Sequence, residues 1–122
     1  MRRKGVLRTL MVGDTVWLWG RRHRHPDCRE TLSLRRADAP QAQLRLVFRS
    51  GESGAAGGWP LGEGEIIGAG GHVLNLNEPG VARRFLDEAM TRGLLPTVNG
   101  VREEDGWPLF EALVSGTTPH TT

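Results

Sequence analysis

The chain has 122 residues, 38% of them hydrophobic and 25% charged, with a formal net charge of +2 and a single cysteine. That length suits one globular core, and one cysteine excludes an internal disulfide framework. No stretch approaches the roughly 18 consecutive apolar residues that a membrane helix requires.

The opening MRRKG has the charges of a signal-peptide n-region, but the following VLRTLMVGD is interrupted by Arg8 and closes at Asp14. The expectation is a cytoplasmic protein with no membrane partner. Charge is unevenly spread: residues 1–49 carry twelve Arg or Lys against four Asp or Glu, and residues 50–122 carry four against ten. A positive field of this kind attracts polyanions, of which nucleic acid is the commonest. The fifteen arginines beside one lysine also fit a GC-rich coding sequence, and the two halves can neutralise each other within the fold.

Residues 6–12 (VLRTLMV) and the TVWLW that follows Gly13-Asp14 predict a β-hairpin, since Gly in the first turn position suits a type II′ turn. The second strand continues through GRRHRH until His25-Pro26-Asp27 breaks it. ETLSLRR (30–36) and QLRLVFR (43–49) alternate apolar and polar residues and predict two further strands of an antiparallel meander. Nine of the twenty-two residues from 50 to 71 are glycine, which predicts a long loop with at most a short strand at 65–67.

GHVLNLN then resumes an extended pattern. Asn77 is the expected N-cap of a helix over 79–92, whose Val81, Ala82, Phe85, Leu86, Ala89 and Met90 share one face before Gly93 stops it. Residues 97–104 predict an edge strand or small hairpin, and Pro108 starts a short C-terminal helix. The fold expected is therefore α+β: an antiparallel meander of about five strands against one amphipathic helix, with a short C-terminal helix. Residues 1–115 form the single domain, and 116–122 are read as a disordered tail with nothing to bury.

The densest chemistry lies in WLWGRRHRHPDC (17–28). By strand alternation, Trp17, Trp19, Arg21, His23 and His25 share one face and Val16, Leu18, Arg22 and Arg24 the other. With Val16 and Leu18 taken as core, the first set is a ribbon of indoles and cations, the combination that stacks bases and follows phosphates in single-stranded nucleic-acid binders. The opposing reading packs both tryptophans under the glycine loop or a helix. His23, His25 and Cys28 form H-x-H-x2-C, with Asp27, Glu30 or His72 as further ligands, but the spacing matches no standard zinc framework and arginines surround it. Cys28 with His23 or His25 is the only local nucleophile-base pair, and no flanking motif supports it. Glu103, Glu104 and Asp105 read as a solvated turn. GEGEIIGAGG (62–71) lacks both the G-K-[ST] ending and the G-x-G-x-x-G spacing of phosphate loops.

The order TVWLWGRRHRH, RETLSL, LRLVF, glycine-rich loop, NEPGVARRFLDEAMTRG and DGWPLF resembles that of a group of small bacterial α+β proteins of actinobacterial type with no assigned activity, over about residues 6–113. The resemblance implies a bacterial cytoplasmic setting and an α+β fold, and no site residue. With no convergent catalytic set and no cofactor implied, the leading expectation is a non-catalytic interaction module that binds a protein partner or itself. Its expected surface is Trp17, Trp19, Arg21, His23 and His25, with Trp59 nearby. The alternative is single-stranded nucleic-acid binding through that same ribbon, and the third a small Cys/His hydrolase or transferase.

Overall fold

In the computed structural model, which describes residues 7–24, 28–57 and 61–117, the chain is an α+β protein. Strands β1 (Arg8–Val12) and β2 (Thr15–Arg24) form the expected hairpin, with Gly13 at φ 61 between the paired Val12 and Thr15. β3 (Arg29–Arg36) and β4 (Ala42–Arg49) continue the antiparallel run.

The fifth strand departs from a meander. β8 (Gly100–Asp105) pairs parallel with β4, so the main sheet has the order β1-β2-β3-β4-β8. A parallel neighbour needs a long crossover, and here that crossover holds the glycine-rich segment and a helix. The glycine-rich segment is itself more ordered than the loop expected from its composition. Its strand β6 (Glu65–Gly68) pairs with β5 (Gly54–Ala56) on one side and β7 (Val73–Asn75) on the other in a second, three-stranded antiparallel sheet.

Helix α1 (Pro79–Thr91) carries the expected apolar face: Val81, Ala82, Phe85, Leu86 and Ala89 are buried. Its N-cap is Glu78 rather than Asn77, and no side chain caps it. Asn77 is withheld from capping because its amide is used elsewhere, as shown below. Gly93, at φ 67, follows the C-cap Arg92. Helix α2 (Trp107–Thr117) begins one residue before Pro108 and runs two residues past the expected domain boundary at 115; residues 118–122 lie outside the described residues.

One face of the main sheet carries the core. Trp17 and Trp19 from β2, Leu32 and Leu34 from β3, and Leu44, Leu46 and Phe48 from β4 form it together with α1, α2, Ile66 and Leu76. Phe48 is its aromatic centre, edge-on to Phe85 at 5.4 Å and to Trp107 at 5.3 Å, and the Trp107 indole N–H donates to the carbonyl of Arg49 at 2.9 Å. These contacts tie both helices to the same end of β4.

Trp19 is 2% exposed and sits between Arg8 and Leu34 in register, with the Arg8 guanidinium 5.1 Å from its ring centre. Truncating a core indole removes its burial and leaves a cavity. Trp19→Ala is expected to lower unfolding free energy by about 3–5 kcal/mol, read as the shift in urea midpoint at unchanged m-value.

Candidate nucleic-acid interface

Sequence alternation held along β2 without a bulge, but the faces are reversed from the assignment that took Val16 and Leu18 as core. Trp17 and Trp19 are 7% and 2% exposed inside the core, while Val16 and Leu18 lie half-buried on the other face. The expected aromatic ribbon is therefore a core row rather than a docking surface. The pairing of β2 with β3 explains the reversal: Trp19 lies opposite Leu34 and Arg21 opposite Leu32, so the tryptophans join the face that Leu32 and Leu34 define. His25 and Trp59 lie outside the described residues.

Arg21 and His23 share the tryptophan face but are held by Glu30, which is completely buried. Glu30 Oε2 accepts from the His23 ring nitrogen Nδ1 at 2.7 Å and from the backbone N–H of Gly64 at 2.8 Å, and Oε1 accepts from Arg21 at 3.4 Å. Arg21 Nε donates to Asn77 Oδ1 at 2.9 Å, and Asn77 Nδ2 donates to the carbonyl of Glu63 at 3.0 Å.

A buried carboxylate without such donors would cost several kcal/mol, so the cluster pins the glycine-rich segment and the chain before α1 onto the sheet. Glycine is required where the backbone closes on it. A Cβ on Gly57 (φ 64) would lie 2.6 Å from His23 Nδ1 and 2.8 Å from Glu30 Oε2, and one on Gly64 (φ 91) would collide with the Asn77 amide. Of the glycines in GEGEIIGAGG, Gly64 serves this approach, while Gly68 closes on the Phe110 ring.

Glu30 was read from the sequence only as part of a strand and a possible metal ligand. Its alternation with Leu32 and Leu34 is the signal that places it on the core face. Cys28 adopts φ 40 at the turn before β3, and its carbonyl accepts from Ser50 Oγ at 3.0 Å. Among the described residues, no three His, Cys, Asp or Glu side chains stand close enough to hold a metal ion.

The opposite face of the main sheet is basic. In register, Arg24, Arg29 and Arg49 stand opposite one another across β2, β3 and β4; Arg22 aligns with Thr31 and Val47; Gly20 aligns with Ser33 and Arg45; Leu18 aligns with Arg35 and Gln43. Six arginines thus share one side of three adjacent strands. Arg22, Arg24, Arg45 and Arg49 take part in no ion pair among the described residues. Among the described residues, the ion pair that links the two halves of the chain is Arg21–Glu63 at 3.8 Å, on the other face; on this face the acidic half places Glu103 of β8 beside Arg45 in register.

A depression of about 460 Å³ opens on this face, lined by Leu7, β2, β3, β4 and Glu103 of β8 and by no helix. Val47 is buried (3% exposed) in the row that Arg22 shares, as expected where long arginine stems lie over apolar neighbours. Arg35, on the same face, gives one guanidinium N–H to the carbonyl of Pro40 at 3.3 Å, while its buried Nε finds no acceptor among the described residues.

A comparison with protein-family models, curated proteins and solved structures finds no match to this chain. The likeness to small actinobacterial proteins is neither supported nor opposed by it, and the surface must be read from its own chemistry. Among the described residues no helix is long and apolar enough to cross a membrane.

Glu30→Ala removes the shared acceptor and leaves Arg21 and the Gly64 N–H without it. A loss of about 3–5 kcal/mol is expected in chemical denaturation, in contrast to a change within about 0.5 kcal/mol for Arg36→Ala, whose partner Asp38 is exposed.

Proposed function

We propose that the protein is a non-catalytic binding module for single-stranded nucleic acid, and that the strand lies across the arginine face of the main sheet. The gathering of six arginines on one face of three adjacent strands carries this reading: Arg22, Arg24, Arg45 and Arg49 take part in no ion pair among the described residues, and a clustered positive field attracts a polyanion.

The shape favours a single strand over a duplex. Duplex recognition places a helix or a two-stranded ribbon in the major groove, and the depression on this face is lined by strands and Leu7, with the two helices in the core on the other side of the sheet. Same-face positions along a strand repeat about every 6.8 Å, so Arg22 and Arg24 offer successive cations along β2, and on β4 Arg45 and Arg49 share the face with Val47 between them. With the indoles in the core, affinity on this face comes from phosphate contacts rather than from stacking on tryptophan. Such contacts position a strand and carry little sequence information.

The expectation of a protein partner or a second copy rested on exposure of Trp17, Trp19 and Trp59; Trp17 and Trp19 are buried, and Trp59 lies outside the described residues. A Cys28 nucleophile with His23 as its base is likewise disfavoured, because His23 Nδ1 is committed to Glu30 and the ring is 5% exposed.

Fluorescence anisotropy of an end-labelled, mixed-sequence single-stranded oligonucleotide tests the proposal. The logarithm of affinity should fall linearly with log salt, with a slope of about −3 to −4 for four to six phosphate contacts. Arg24→Ala and Arg49→Ala should each flatten that slope by about 0.7 while leaving thermal stability unchanged. No binding at low salt, or a salt-independent affinity, would overturn the reading.

A further inference from the structure

The arginine face is not uniform: its charges surround one small-residue floor. Gly20 and Ser33 stand side by side in β2 and β3. Arg22 follows Gly20 at the next same-face position, Arg35 follows Ser33, and Arg45 lies directly opposite Ser33 on β4. All five line the depression of about 460 Å³, a volume in the range of small-ligand sites. Absence of bulk at positions 20 and 33 makes the hollow, and three guanidinium groups border it.

Counter-charge at the hollow comes from one side: Glu103 of β8 stands beside Arg45 in register. Arg22 and Arg45 have no ion pair among the described residues, and Arg45 Nε donates to the neutral Gln43 Oε1 at 3.1 Å. The buried Arg35 Nε is a donor without an acceptor among the described residues. Ser33 Oγ lies 3.4 Å from the carbonyl of Gly20, a long contact that leaves the hydroxyl able to turn toward a ligand. Glu103 is the one acidic residue of the lining, on the side of β8.

Three guanidinium groups against the one Glu103 carboxylate leave a surplus of two positive charges, more than an internal phosphodiester, with a single negative charge, balances. A terminal phosphate monoester carries about −1.5 to −2 at neutral pH and three acceptor oxygens, and arginine forks match those oxygens in pairs. Resting on the single-strand reading above, we infer that the Gly20–Ser33 hollow is an end-recognition pocket. It takes the terminal phosphate of a single strand, while Arg24, Arg29 and Arg49 follow the adjoining backbone.

The experiment compares one short single-stranded oligonucleotide in three forms: 5′-phosphorylated, 3′-phosphorylated, and without a terminal phosphate, each labelled internally. One phosphorylated form is expected to bind about tenfold more tightly than the unphosphorylated strand, the difference of one further charge-assisted contact. Ser33→Leu fills the hollow without changing charge and should bring the two affinities together. Arg45→Gln, on the solvent side of β4, gives a second variant should Ser33→Leu fold poorly by circular dichroism. Equal binding of all three forms to the wild-type protein overturns end recognition while leaving single-strand binding in place, and absence of binding by every form overturns both. A preference that persists in both folded variants also overturns the assignment, since the phosphate would then be read elsewhere.

Discussion

The antiparallel register of β2 on β3, which sets Arg24 opposite Arg29 and Trp19 opposite Leu34, is the constraint on which the rest of the structure depends. Side chains alternate with a period of two, so a slip of one residue would exchange the faces of the whole strand. The register in place sends two tryptophans into the core with Leu32, Leu34, Leu44 and Leu46, and sends Arg22 and Arg24 to the other side. Had the connection between the strands been one residue longer or shorter, the indoles would face solvent and the arginines would be buried.

Against this background Glu30 has a defined task. It occupies the end of the core face, between His23 and Phe48 in register. Being charged and buried, it must collect donors, and it does so from two separated parts of the chain: Arg21 and His23 of β2, and the Gly64 N–H. Burying an ion this way is not an efficient source of stability. It is an efficient source of specificity, because only one placement of the glycine-rich segment satisfies the carboxylate. The glycines at 57 and 64 permit the close approach, and Asn77 extends the network to the start of α1 at the expense of its capping role.

The arginine face shows the opposite economy. Its charges gain little from ion pairing within the fold: Arg22, Arg24, Arg45 and Arg49 lack ion-pair partners among the described residues. A chain that gathers such charges on an open sheet has its core elsewhere to supply stability, here through the aromatic contacts of Phe48 with Phe85 and Trp107. Charged surfaces that add little to stability are where binding is best sought. The two faces of β2 thus divide the labour, one structural through tryptophan, the other electrostatic through arginine.

Much of this was legible in the sequence. Period-two alternation in ETLSLRR and QLRLVFR, the Gly13 turn and the apolar face of α1 determined the α+β class, the hairpin and the helix, because each is a local pattern read within one segment. The basic character of the first half and the common face of Arg22 and Arg24 followed in the same way. What one strand cannot reveal is which of its two faces turns inward when both carry apolar residues. Val16 and Leu18 compete with Trp17 and Trp19, and the partner strand resolved it. The parallel addition of β8 beside β4, the small sheet within the glycine-rich segment and the burial of Glu30 among donors from distant positions were likewise decided only by tertiary structure. Each is a pairing between residues far apart in the chain, and its energy exists only once the fold has brought them together.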